Sequence, residues 1–209
     1  FDHLLFTGAT SIARHIMAAA AKNLVPVTLE FGGKSPVLIS RSADIKTSIS
    51  RIMLGKTMNA GQICLAPDYM MVPEEKLDEV ISEIKLAVAG MYPTMLKNPE
   101  YTSVINDRHF QRLQENLADA AEKGGEVISL APAGEDFSKQ DGTRKIAPTV
   151  VKNATDDMRI LQEEIFGPLL AIKTYKDCRE TIRYVYGQPS PLALYDIGSD
   201  ARGESNVRD

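Results

Sequence analysis

"DYMMVPEEKLDEVISEIKLAVAG", residues 68 to 90, carries both halves of an α/β unit in one short stretch. Tyr69 to Val72 form a run of strand-type apolar residues, and Pro73 interrupts it. Beyond the proline, Leu77, Val80, Ile81, Ile84 and Val88 recur every three or four residues, which is one apolar face of a helix. Pro73, Glu74 and Glu75 suit the first turn of that helix. Proline needs no N–H there, and carboxylates face the positive end of the helix dipole. A strand passing straight into an amphipathic helix implies a sheet with helices packed on it.

The same alternation continues outward in both directions. "HLLFT" (3–7) reads as a strand ending at Gly8, and a helix follows from Thr10 or Ser11 through "SIARHIMAAAAKN". "PVTLEFGG" (26–33) is a second strand, broken by Gly32 and Gly33, and "SPVLIS" is a third. Asp44 is placed to cap a helix in which Ile45, Ile49, Ile52 and Met53 keep helical spacing, and this helix runs out near Asn59–Gly61. On the C-terminal side, a helix is expected over Asp107–Lys123, closed by Gly124 and Gly125. "EVISL", "APTVV" and "PLLAIKTY" read as strands and "CRETIRYVYG" as a short helix, with a last strand over Leu192–Ile197. Residues 131–144 read as an exposed excursion. The fold class is therefore α/β, with a mainly parallel twisted sheet and flanking helices.

Composition narrows the function. A chain of 209 residues with 44% hydrophobic and 25% charged residues supports a packed core. A net charge of −4 and no basic stripe argue against nucleic acid as a partner. There is no membrane span by length and no signal-peptide pattern. Two cysteines, far apart, make no disulfide framework and fit a reducing, cytoplasmic setting. His3, His15 and His109 have no metal-ligand spacing, so no metal site is expected. Phe1 opens inside a strand-like run and "SDARGESNVRD" closes the chain after an apolar run, so both ends read as cuts in a longer polypeptide.

Four places have the residue types for chemistry. Cys64 follows a helix and Gly61, where a thiolate can meet a carbonyl and its own amide can face an oxyanion. An isolated cysteine is more often a buried apolar filler. Glu30 ends a strand beside two glycines, where partial burial raises a carboxylate towards general-base strength; the plainer alternative is a solvated strand end. Gly8, Ala9 and Thr10 form a strand–turn–helix start suited to a phosphate, although the full glycine fingerprint is absent. In "LQEEIFGPLL", one of the two adjacent carboxylates can accept from a ribose diol while Phe166 packs on a flat heterocycle; a solvated loop is the even alternative.

Together these stretches resemble the aldehyde dehydrogenase superfamily. "LEFGGKSP" is similar to its glutamate signature and "MNAGQICLAPD" to its cysteine signature, with Glu30 and Cys64 34 residues apart as that pattern requires. "EEIFGP", "PLALY" and "FTGAT" follow the pattern too, so the resemblance covers nearly the whole chain. It implies that Cys64 attacks an aldehyde, that hydride passes to NAD or NADP to leave a thioester, and that Glu30 activates the hydrolytic water. It also implies that Glu164 holds the nicotinamide ribose with Phe166 packed nearby, and that Gly8, Ala9 and Thr10 lie by the pyrophosphate. Phe31, Ala9 and Ala13 depart from the common pattern. The loss of a serine hydroxyl at position 9 leaves only backbone amides for the phosphate.

By the same resemblance, residues 1–29 are the end of a coenzyme-binding domain and residues 30–209 a catalytic domain. The oxyanion-hole asparagine lies outside the chain, which is inactive alone, and the full-length protein is a homo-oligomer. "CLAPDYMMV" and residues 91–113 resemble the branch acting on aromatic and long-chain aldehydes, which implies a lignin-derived cinnamaldehyde as substrate. Two other readings stand beside this one: an acyl-transferring relative that uses coenzyme A, and a non-catalytic binding or oligomerisation module.

Overall fold

The computed structural model describes residues 1–140 and 142–199. The polar tail from Asp200 onward lies outside the described residues. A six-stranded sheet is built from β3 (Pro36–Ile39), β4 (Tyr69–Pro73), β5 (Glu126–Ser129), β6 (Thr149–Lys152), β7 (Leu169–Tyr175) and β8 (Tyr195–Ile197), in the order β5-β6-β7-β4-β3-β8. Every pair is parallel except β5 with β6.

The central strands are buried along their whole length, which is why they read as unbroken apolar runs rather than alternating ones. Their side chains still divide by period two. Val37, Ile39, Met70, Val72, Leu170 and Ile172 meet α2 (Ile45–Thr57) and α3 (Leu77–Met91) in one core. Leu38, Tyr69, Met71, Val151, Leu169 and Ala171 meet α4 (Asp107–Glu122) and the short α5 (Arg159–Gln162) in the other. On α3, Val80, Ile84 and Val88 are fully buried, as the spacing predicts. Side chains cap two of these helices, Asp44 as the sequence predicts. Asp44 accepts from Thr47 N at 3.4 Å, and Asn106 accepts from His109 N at 2.9 Å.

A second, two-stranded parallel sheet, β1 (Leu4–Thr7) with β2 (Val27–Glu30), is bridged by α1 (Thr10–Lys22). This unit is thinly covered: Leu5, Ile12, Met17 and Leu24 are all exposed.

Three expectations need correction. Pro73 belongs to β4 rather than to the helix, because its extended backbone (ψ 134°) continues the strand and a 3₁₀ turn over Glu74–Lys76 precedes α3. The last strand is only Tyr195–Ile197, since Pro191 and Leu192 instead pack against Gly33. The excursion at 131–144 is not simply exposed. The Glu135 carboxylate accepts from the Met95 and Leu96 amides at 3.0 Å. Lys145, just after it, donates to the carbonyls of Met95, Leu96 and Asn98 at 2.8, 3.2 and 2.6 Å. No helix among the described residues is long and apolar enough to cross a membrane. α6 (Cys178–Tyr186) closes the sheet beside β7.

Candidate active site

The candidate residues collect where the two sheets adjoin. β2 ends at Glu30, and its side chain turns back so that Oε1 accepts from Gly32 N at 2.9 Å. Gly32 has φ +69° and Gly33 φ +159°, which a side chain would strain. A Cβ on Gly32 would stand 2.5 Å from Glu164 Oε1, so only glycine lets Glu164 come this close. Gly33 N donates to the same oxygen at 3.3 Å. The turn after β1 joins the group from behind, because Gly8 N donates to the Glu30 carbonyl at 3.0 Å. Ala9 is the N-cap of α1 and makes no side-chain cap bond. The first-turn amides therefore have no competing side-chain acceptor from the cap.

Cys64 is delivered by a sharp reversal. After α2 the backbone takes left-handed conformations at Asn59, Ala60 and Gly61, with φ of 51°, 53° and 69°. Such a run at non-glycine residues is strained, so surrounding contacts must hold it. Gln62 supplies them. Its amide nitrogen donates to Asn59 O at 3.0 Å and Ser103 O at 3.1 Å, and its oxygen accepts from Ile105 N at 2.9 Å. A turn closed by Ala66 N to Ile63 O (2.9 Å) then carries Cys64, half-buried and free of any disulfide. Tyr195 donates to the Leu65 carbonyl at 2.6 Å and fixes the far side of that turn.

The third segment is Glu163–Pro168. A Cβ on Gly61 would stand 2.3 Å from the Gly167 carbonyl oxygen, so the cysteine loop rests directly on this segment. The Glu30 turn rests on it as well, through Glu164. Phe166 is left-handed at φ 44°. Arg112 of α4 holds the segment by donating to the carbonyls of Glu164 and Ile165 at 3.3 and 2.6 Å. Beneath lies a buried charge cluster. Lys34 pairs with Asp68, and Asp68 Oδ2 accepts from Ile165 N at 2.8 Å. Lys56, also buried, has Asp68 and Glu164 as its opposite-charge neighbours.

Burial sets the electrostatics. The Glu164 carboxyl is pushed up to about 7, chiefly by desolvation, with the Gly33 amide opposing the shift. Lys56 is brought down to about 8 by burial, only partly offset by Asp68. A half-buried carboxyl poised near neutrality, beside glycines that leave room for close approach, suits an acceptor for ligand hydroxyls. A half-buried thiol on a turn suits attack on a carbonyl.

The structure thus brings Gly8, Glu30, Cys64, Glu164 and Phe166 onto three adjoining segments and their supporting turn. Sequence reasoning missed Lys34, Lys56, Gln62, Asp68 and Arg112. One of them had a visible signal: Lys56 continues the Ile45, Ile49, Ile52 stripe of α2 at the next helical step.

Residues 1–200 match the aldehyde dehydrogenase family. The coniferyl aldehyde dehydrogenase of Pseudomonas sp. strain HR199 is 58% identical over 201 residues, covering 96% of this chain and 42% of that protein. Among solved structures, a Mycobacterium tuberculosis aldehyde dehydrogenase complexed with NAD+ superposes with TM-score 0.86 at 27% identity, covering all of this chain and 43% of that one. The NADP-dependent glyceraldehyde-3-phosphate dehydrogenase of Bacillus halodurans, complexed with NADP, gives TM-score 0.85 at 29% identity, covering all of this chain and 42% of that one. The chain spans about two-fifths of the length of the relatives it matches.

Proposed function

The chain belongs to the aldehyde dehydrogenase family, and on that premise we propose that it carries the catalytic residues of an NAD(P)-dependent enzyme oxidising an aromatic aldehyde to its acid. The observation that supports this most is the convergence of the Glu30 turn and the Cys64 loop on the segment Glu164–Gly167.

Cys64 is the nucleophile. Its sulfur adds to the aldehyde carbon, and the backbone amide of its turn faces the oxygen on which negative charge develops. NAD or NADP, when bound, supplies the hydride acceptor. Once the thiohemiacetal carbon has lost its hydride, a thioester remains on Cys64. Glu30 takes a proton from the water that attacks this thioester, which releases the acid and regenerates the thiol. Glu164 holds the nicotinamide ribose by accepting from its hydroxyls, and Phe166 packs beside it. The open amides of Ala9 and Thr10 at the start of α1 take the pyrophosphate. Coniferyl aldehyde is the proposed substrate, by similarity to the Pseudomonas enzyme.

Residues 1–29 are proposed to complete a coenzyme-binding domain whose remaining parts cover the exposed face of α1, and residues 30–209 to form the catalytic domain. The chain alone is then inactive, and the native polypeptide acts as a cytoplasmic homo-oligomer. The two unpaired cysteines suit a reducing compartment.

Mass spectrometry of the native polypeptide after mixing with NAD and coniferyl aldehyde tests the chemistry. Glu30→Gln is expected to accumulate an acyl adduct on Cys64, and the wild type to release free acid. An adduct on Cys178, or none in either protein, contradicts the proposal. Release of product only when coenzyme A is added contradicts the role of Glu30.

A further inference from the structure

We propose that Asp68 is the positioning residue of this site: one buried carboxylate ties together the Glu30 turn, the Cys64 loop and the Glu164 segment. The inference rests on the functional reading above and adds a residue to it.

Asp68 is 2% exposed and lies four residues beyond Cys64. Its polar groups reach two other parts of the chain. Its backbone N–H donates to the Ser35 carbonyl at 2.9 Å, at the end of the Glu30 turn. Its Oδ1 pairs with the Lys34 ammonium in that same turn. Its Oδ2 accepts from Ile165 N at 2.8 Å, next to Glu164. Lys34 then extends the tie, donating to the carbonyls of Ile160 and Glu163 at 2.8 and 2.9 Å. The three segments are far apart in sequence, and this carboxylate joins them all directly.

An exposed ion pair of this kind would fix little, since water competes for both partners. Here both partners are largely withdrawn from solvent (side chains 12% and 3% exposed), so water competes little for either. Removing the charge leaves Lys34 buried without its counter-ion and lets the Ile165 amide drift. The Glu164 segment then moves relative to Gly33 and Gly61, where clearances leave no slack. Catalysis is sensitive to such shifts, because an ångström of misplacement costs roughly a hundredfold in rate.

Two variants of the native polypeptide test this: Asp68→Asn, and the double change Lys34→Met with Asp68→Leu, which removes both members of the pair and leaves Glu164 as the opposite charge beside Lys56. Hydrogen exchange is followed in peptides covering residues 30–36, 60–68 and 161–168, with α3 as the internal control. In both variants all three peptides are expected to exchange at least tenfold faster while α3 stays protected. With NAD and coniferyl aldehyde, kcat should fall roughly a hundredfold with KM for the aldehyde nearly unchanged. Unchanged exchange in the three peptides, or faster exchange confined to 161–168, overturns the proposal. So does loss of α3 protection in both variants, which would make Asp68 an ordinary core residue. A wild type without NAD(P)-dependent oxidation would sink the functional reading instead, and the exchange pattern would still decide the role of Asp68.

Discussion

The two sheets meet the candidate site with opposite ends. The two-stranded sheet offers its carboxyl ends, Glu30 closing β2 and Gly8 following β1. The six-stranded sheet offers amino ends: Lys34 and Ser35 precede β3, Cys64 precedes β4, and Glu164 precedes β7. They also differ in completeness. The central strands of the larger sheet are sealed on both faces, whereas the smaller unit exposes Leu5, Ile12 and Met17. One sheet is a finished scaffold, and the other is an edge that presents groups across a seam. Strain and charge gather along that seam: of six non-glycine residues with positive φ among the described residues, half (Asn59, Ala60 and Phe166) lie there.

This contrast predicts where substitutions cost most. Ile84→Ala empties a fully buried position between α3 and the large sheet, and thermal unfolding should show a loss of about 2–5 kcal/mol. Folded molecules of that variant should keep the wild-type alkylation rate at Cys64, since the seam is untouched.

Gly61→Ala strikes the seam itself. Its Cβ would meet the Gly167 oxygen at 2.3 Å in a left-handed backbone, so stability should fall by about 1–3 kcal/mol. Unlike Ile84→Ala, this variant should also lose reactivity at Cys64 while folded. Equal reactivity in the two variants would break the contrast.

The charged side of the seam responds to pH. Burial pushes the Glu164 carboxyl up to about 7, and its ionised form accepts hydroxyl hydrogen bonds more strongly than the neutral acid, so coenzyme binding should tighten as pH rises through that value. Titration calorimetry with NAD on the native polypeptide should give a Kd roughly tenfold weaker at pH 6 than at pH 8. Glu164→Gln should bind weakly at both. The sign for stability is opposite. A carboxyl raised above its ordinary value binds its proton more tightly in the folded chain, so its stabilising contribution is lost as pH rises towards about 7. In Glu164→Gln that decline should flatten.

The smallest effect is expected on the smaller sheet. Leu5 is 71% exposed, so Leu5→Ala in the 209-residue chain should shift stability by no more than about 0.5 kcal/mol. In the native polypeptide the same change should cost clearly more, because the proposed coenzyme domain covers that face. Equal costs in the two settings would contradict the domain division.

Much of this architecture was legible because its signals are local. The stripe on α3, the Asp44 cap and the apolar runs of β3, β4 and β7 all follow from neighbouring residues. Glu30, Cys64 and Glu164 were singled out because each breaks a local pattern: a carboxylate ending a strand, a thiol in a loop, a paired acid among apolar residues. What escaped was long-range. Nothing near Asp68 in sequence announces Lys34 or Ile165, and the tie from Glu135 and Lys145 to residues 95–98 likewise exists only after folding. The strand-end rule for open α/β sheets was also too narrow, since it expects carboxyl ends and here half of the site comes from amino ends.

The central claim is that the groups at positions 30 and 64 open into one shared space. A short bis-alkylating reagent measures this directly in Glu30→Cys made in a Cys178→Ser background. The account predicts rapid intramolecular bridging between positions 30 and 64, identified by peptide mass spectrometry, before any link forms between molecules. Single adducts at each position with no bridge, in a protein that remains folded, would contradict it.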